Sequence, residues 1–197
     1  MSSGDLPTVL VVDDEPDVAD AYAAQLKQEY HVRTAYSGEE ALSALGPDVD
    51  IVLLDRRMPD VSGDDVLEEI RDRGLDCRVA MVTAVDPDFD IIEMPFDDYV
   101  IKPVSREDLF DTIERLLVCA EYEEKLQRYY SLTSKYATLL ANKSNTELEN
   151  SDEFHDLRDE RDRVRDELED TVARFDDEAF AAVFRELHDG SRPVTEE

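Results

Sequence analysis

Thr8-Val9-Leu10-Val11-Val12-Asp13-Asp14-Glu15 is the stretch on which the fold turns. Thr8 and the four apolar residues after it, four of the five β-branched, read as a strand covered on both faces that delivers its last side chains to a sheet edge. The pattern recurs. Ile51-Val52-Leu53-Leu54 runs into Asp55, Val79-Ala80-Met81-Val82 into Thr83, and Tyr99-Val100-Ile101 into Lys102-Pro103. A short alternating segment, His31-Val32-Arg33-Thr34-Ala35, supplies a further strand. Strands alternating with helical stretches indicate an open parallel sheet with helices on both faces. In such a sheet ligands bind beyond the carboxyl ends of the strands, at the switch in strand order. Every charged or hydroxylic residue singled out here stands at such an end.

The punctuation between strands supports this layout. A helix is predicted over about 15–29, where Val18, Tyr22 and Leu26 form one apolar stripe and Pro16 is tolerated in the first turn. Ser37 caps a second over 38–45, with Glu40 completing a capping-box pattern and Gly46-Pro47 ending it. A loop with Pro59 and Gly63 precedes a third over 64–73, closed by Gly74. Between Thr83 and Tyr99, Asp86-Pro87 and Met94-Pro95 leave room for only a turn or two near 88–93.

Residues 104–189 contain neither glycine nor proline and are rich in Glu, Arg, Leu and Ala, which reads as helix. Ser105 can cap it. Leu109, Ile113, Leu116, Ala120, Tyr122, Leu126, Tyr130 and Leu140 form an irregular apolar face, and the Asn/Ser-rich segment 142–151 reads as a turn. A second helix over 152–175 and a short third over 177–188 complete a helical hairpin with a small cap. A tail without structure follows from Gly190. The alternating charges from Asp156 to Asp166 suit a solvated, ion-paired face.

The chain has 197 residues and a formal net charge of −30. Such self-repulsion is best tolerated where salt shortens the screening length, so a halophilic source is inferred. Residues 1–120 hold 29 acidic against 10 basic side chains, and residues 121–197 hold 22 against 11. Neither part offers the basic surface that nucleic acid requires. Two cysteines, Cys77 and Cys119, lack metal-type spacing, and no apolar run approaches a membrane span. A reduced, cytoplasmic location is expected.

If the strand ends converge, Asp13 and Asp14 beside Asp55 would repel unless a divalent cation neutralises them. Mg²⁺, with its preference for oxygen ligands, suits that task; a solvated acidic loop is the alternative. Asp55 is the candidate nucleophile, since a carboxylate attacking phosphorus gives an acyl phosphate. Lys102 would add a second positive charge and Thr83 a hydrogen bond to a phosphoryl oxygen, because charge neutralisation and positioning dominate phosphoryl transfer. Tyr99 could turn inward or outward in response.

These residues carry a resemblance. Val11-Val12-Asp13-Asp14-Glu15, Asp55-Arg56-Arg57-Met58-Pro59 with Gly63, Thr83-Ala84, and Asp98-Tyr99-Val100-Ile101-Lys102-Pro103 together resemble the receiver domain of two-component response regulators. The whole chain resembles haloarchaeal (archaeal) response regulators with a C-terminal HalX-type module. The resemblance implies a flavodoxin-like five-stranded sheet of order 2-1-3-4-5. It implies that Asp55 is the phosphoacceptor of a sensor histidine kinase. Mg²⁺ would be bound by Asp14, Asp55 and the backbone carbonyl of Arg57, with Asp13 assisting through water. Thr83 and Tyr99 would be the switch pair, Lys102 would contact the phosphoryl group, and the Lys102–Pro103 bond would be cis. The expected domains are a receiver over 6–120 and a HalX-like helical domain over 121–190, whose first helix continues the last receiver helix, with a disordered tail over 191–197. The gap between Thr83 and Tyr99 is shorter than the full fourth helix usual in receivers.

The leading reading is therefore a phosphorylation-dependent switch, not an enzyme, which alters the docking or association of its helical output module. The alternative is a DNA-binding transcriptional regulator acting through that module, against which the acidity weighs. A phosphatase would want an Asp-x-Asp pattern after the first strand, and a histidine kinase would want Gly-rich nucleotide boxes; the chain has neither. An intact site argues against a vestigial scaffold. A homodimer through the C-terminal helices is expected, because the apolar stripe on 152–175 is thin.

Overall fold

The computed structural model describes residues 6–174. The chain divides into two compact units between Leu116 and Leu117. In the first, β1 (Thr8–Val12), β2 (His31–Ala35), β3 (Ile51–Leu54), β4 (Arg78–Thr83) and β5 (Asp98–Ile101) form one sheet. Its order is β2-β1-β3-β4-β5 with every pairing parallel, as the resemblance implied. Helices α1 (Pro16–Leu26), α2 (Gly38–Ala44) and α3 (Gly63–Asp72) connect the strands.

The apolar runs explain the core. Val9 to Val12 and Ile51 to Leu54 are all 1% exposed or less, as befits strands covered on both faces. Helix α1 ends at Leu26, three residues before the predicted limit, and buries Ala19, Tyr22, Ala23 and Leu26. Ser37 caps α2 by accepting the Glu40 amide, and Ser62 caps α3 in a full capping box with Asp65. Between β4 and β5 stands only a 3₁₀ turn, Phe89–Glu93, none of whose residues is buried. Arg71 pins the end of that connection: it donates to the Pro95 carbonyl at 2.9 Å and to Asp97 at 2.7 Å. Asp97 also accepts from Arg78 and from the Val79 amide.

Helix α4 runs from Arg106 to Asn142 without interruption. Ser105 and Asp108 close its N-terminus reciprocally. Leu109, Ile113 and Leu116, at helical spacing, complete the core of the first unit.

In the second unit the later part of α4 runs against α6 (Asp152–Val172) in an antiparallel hairpin. Arg174 reaches Glu121, Lys125 reaches Thr171, Arg128 reaches Glu160, and Tyr136 stacks on Phe154. Arg161, which interrupts the apolar stripe of α6, lies with its guanidinium 4.1 Å from the Tyr136 ring centre. Leu132, Phe154, Val164 and Leu168 are buried, whereas Tyr130 and Leu140, read as part of the apolar face, are exposed. The segment read as a turn contains a short helix, α5 (Asn145–Glu149), because Ser144 and Glu147 make a capping box that outweighs the local Asn content. The predicted 177–188 helix and the 191–197 tail lie outside the described residues.

Candidate functional site

The strand register brings the singled-out residues together. Beyond the ends of β1, β3 and β5, the backbone ladder continues for one more bond. The Asp13 amide donates to Ala35, the Asp55 amide to Val12, and the Lys102 amide to Thr83, at 2.8 to 3.1 Å. Asp13, Asp55 and Lys102 are thus fixed by their neighbours' main chains rather than carried on free loops. Asp14 follows at the mouth, half-buried.

Asp13, Asp14 and Asp55 each present a carboxylate oxygen within 4.8 Å of the others. Among the described residues no other group of His, Cys, Asp or Glu meets that spacing. One oxygen of Asp13 accepts the Glu15 amide at the head of α1 at 3.0 Å, and the other accepts from Lys102 Nζ at 2.6 Å. Lys102 Nζ lies 3.5 Å from Asp55. Asp13 is 2% exposed, Asp55 6% and Thr83 1%. One ammonium faces three carboxylates, which leaves net negative charge in a buried, oxygen-lined recess; that donor set fits a hard divalent cation.

Burial pushes the Asp55 carboxyl above its ordinary value, against the Lys102 ammonium and the Thr83 hydroxyl, which stabilise the charged form. Burial alone would lower Lys102, but the hydrogen bond to Asp13 and the nearby Asp55 charge outweigh it and hold the ammonium more firmly protonated. The Tyr99 hydroxyl donates to the Val85 carbonyl at 2.8 Å, and the Val85 amide donates to the Thr83 hydroxyl at 3.3 Å. The Lys102–Pro103 peptide is cis, as the resemblance implied.

Three residues do more than the sequence reading assigned to them. Gly63 was read as a loop signal, yet a Cβ there would lie 2.1 Å from the Asp55 carbonyl oxygen. Its amide donates to the Arg56 carbonyl at 2.9 Å, so only glycine lets α3 start this close to the end of β3. Tyr22 was read as part of an apolar stripe, and it is buried close enough to Lys102, Asp13 and Asp55 to feel their charges; burial raises its hydroxyl pKa. Arg56 carried no assigned role, and it forms ion pairs with both Asp64 and Asp90. A helical stripe position or an Arg after Asp holds no signal of such contacts, because the partners come from distant segments.

A family profile described as response regulator receiver domain matches residues 9–114, and one described as HalX domain matches 118–184. A protein of Haloferax volcanii named as a predicted transcriptional regulator is 53% identical over 165 residues, which are 83% of this chain and 28% of that protein. Response regulator SaeR of Staphylococcus aureus is 40% identical over 113 residues, 55% of this chain and 50% of SaeR. The chain thus spans half or less of the length of these curated relatives. Among solved structures, the response regulator TrrA of Thermotoga maritima, in complex with Mg²⁺ and BeF, is similar with a TM-score of 0.51 at 34% identity, over 56% of this chain and 99% of TrrA. No described helix is long and apolar enough to cross a membrane. The receiver profile covers more than half of the chain, and the parallel 2-1-3-4-5 sheet accords with it; the chain belongs to the response regulator receiver family of two-component systems, and a HalX domain follows its receiver.

Proposed function

We propose that Asp55 accepts a phosphoryl group from a sensor histidine kinase in the cytoplasm and that the modified site switches the helical output module. The observation that carries this reading is the convergence of three carboxylates within 4.8 Å beside an ammonium at 2.6 and 3.5 Å. An Asp55 oxygen attacks phosphorus, the phosphorus–nitrogen bond of the donor histidine breaks, and the imidazole leaves with the bonding pair. Asp13, Asp14, Asp55 and the Arg57 carbonyl would hold Mg²⁺, which when bound neutralises charge on the phosphoryl oxygens. Lys102 adds its charge from the other side, and Thr83 donates to a phosphoryl oxygen. Thr83 and Tyr99 then re-pack together, since the Val85 main chain already links their hydroxyls.

The receiver extends over 6–120 and the HalX-like domain over 121–190 in this reading. The output is a change in docking or self-association of the helices, with a homodimer as one outcome. A second reading, direct DNA binding by the helical module, is favoured by the name of the Haloferax volcanii relative and opposed by the excess of acid in residues 121–197.

Incubation with acetyl phosphate and Mg²⁺ tests the site. One phosphoryl group per chain is expected by intact mass, mapped to Asp55 and lost in Asp55→Asn. An adduct that persists in Asp55→Asn would refute the assignment. Mobility-shift assays in high-salt buffer separate the two output readings.

A further inference from the structure

The Arg56 side chain is 13% exposed, whereas its partners Asp64 and Asp90 are 46% and 52% exposed. A guanidinium fork drawn in from solvent and held by two separate elements is an anchored group, unlike a freely moving surface pair. On one side it grips Asp64 in the first turn of α3, through Nε at 3.0 Å and a terminal nitrogen at 3.2 Å. That helix is fixed independently by the buried Val66, Leu67 and Ile70. On the other side it grips Asp90 in the 3₁₀ turn, which buries no residue of its own. The anchor is therefore rigid at Asp64, and the Asp90 contact restrains the turn.

Two routes lead from Asp55 to this guanidinium. One is covalent, since Arg56 is the next residue. The other runs through Thr83, the Val85 main chain and Tyr99. The Thr83 hydroxyl is near enough to the Asp55 carboxylate to favour its charged form, Thr83 accepts from the Val85 amide, and the Val85 carbonyl accepts from Tyr99. Tyr99 in turn is near enough to the Arg56 guanidinium to favour its charged form. The loop from Thr83 to the 3₁₀ turn is thus held at the Asp90 end by Arg56 and at the Val85 carbonyl by Tyr99.

We propose that Arg56 is a positioning residue for phosphoryl uptake: by bridging Asp64 and Asp90 it holds the Val85 main chain and Tyr99 in the arrangement that aims the Thr83 hydroxyl at Asp55. The inference rests on the reading of Asp55 as acceptor. Lys102 and the carboxylate cluster do not touch Asp90, so a loss of the bridge alters the population of the aimed arrangement and leaves the charges at the reaction centre in place.

The test is the rate constant of phosphorylation by acetyl phosphate at saturating Mg²⁺, together with the fraction of molecules able to react. Asp90→Asn, at a half-exposed position, keeps the fold. It is expected to slow the rate constant by about three- to fivefold, the population change available to an ion pair of this exposure. The reactive fraction should stay at the wild-type value, which a merely structural lesion would lower. Arg56→Met should slow it at least as much, and the double variant should be no slower than Arg56→Met alone. A wild-type rate constant in Asp90→Asn, or a full Asp90→Asn effect on top of Arg56→Met, would overturn the proposal while leaving Asp55 as acceptor. Absence of label on Asp55 in the wild-type protein would instead remove the reading beneath it.

Discussion

Lys102 stands nearer to Asp13 than to Asp55, at 2.6 against 3.5 Å. Its ammonium is committed to the carboxylate at the end of β1 and holds Asp55 only loosely. Replacing it by methionine would strand two buried carboxylates without a counter-charge. Lys102→Met is expected to destabilise the protein by about 3 kcal/mol without divalent cation. Added Mg²⁺ should recover more stability in the variant than in wild type, as binding to the folded state alone dictates. Thermal melts with and without Mg²⁺ check both expectations, and an equal Mg²⁺ response would contradict them.

Gly63 offers a sharper test of how tightly α3 abuts the phosphoacceptor strand. Alanine at this position would place a methyl carbon 2.1 Å from the Asp55 carbonyl oxygen, and that oxygen is main chain and cannot swing away. Gly63→Ala should cost about 3 kcal/mol or more of stability. It should also slow phosphorylation of the molecules that remain folded, because the Asp55 backbone must shift. Urea melts and the acetyl phosphate rate give the two readouts.

Asp97 gathers Arg71, Arg78 and the Val79 amide at the opposite end of the sheet from Asp55. Asp97→Ala would remove the carboxylate that the half-buried Arg71 and Arg78 guanidinium groups share, at about 2–4 kcal/mol. The phosphorylation rate of the folded fraction should not change. A rate loss comparable to that expected for Asp90→Asn would mean that both ends of the β4–β5 connection matter to the chemistry.

The capping box that starts α5 supplies a pH signature for the helical unit. Hydrogen bonds from the Ser144 amide and hydroxyl, with Lys143 beside them, hold the Glu147 carboxyl down to about 2, against an ordinary value of 4.5. A folded-state value below the unfolded one means that the carboxylate stabilises the helix start fully above about pH 4.5, and that this contribution fades as pH falls toward 2. Glu147→Gln should remove that part of the acid sensitivity. A carbon-detected titration of the Glu147 carboxyl midpoint near 4.5 would rule the box out in solution.

Four of the five strands were legible because each is a short apolar run that stops on charged or hydroxylic residues, whereas β2 was read from its alternation. Period and burial then agree without help from distant segments. Asp13, Asp14, Asp55, Thr83 and Lys102 were found this way, and Tyr99 with them. What stayed hidden depends on pairs far apart in the chain. Arg56 meets Asp90 across 34 residues, and nothing local distinguishes it from Arg57. Gly63 belonged to the receiver resemblance, but the steric reason for a glycine there lies in the close approach of the Asp55 carbonyl. The α5 turn was hidden for the opposite cause: its local capping chemistry was present in Ser144 and Glu147, but the surrounding asparagines pointed to a loop.

Phe89 and Ile92 lie 85% and 76% exposed on a turn that has no buried residue. With no hydrophobic burial to hold it, that stretch should be the first of the receiver to open in amide hydrogen exchange, at a free energy well below that of global unfolding. A receiver built this way keeps its softest backbone beside its most highly charged recess, where a small change in charge balance has the least mechanical resistance to overcome.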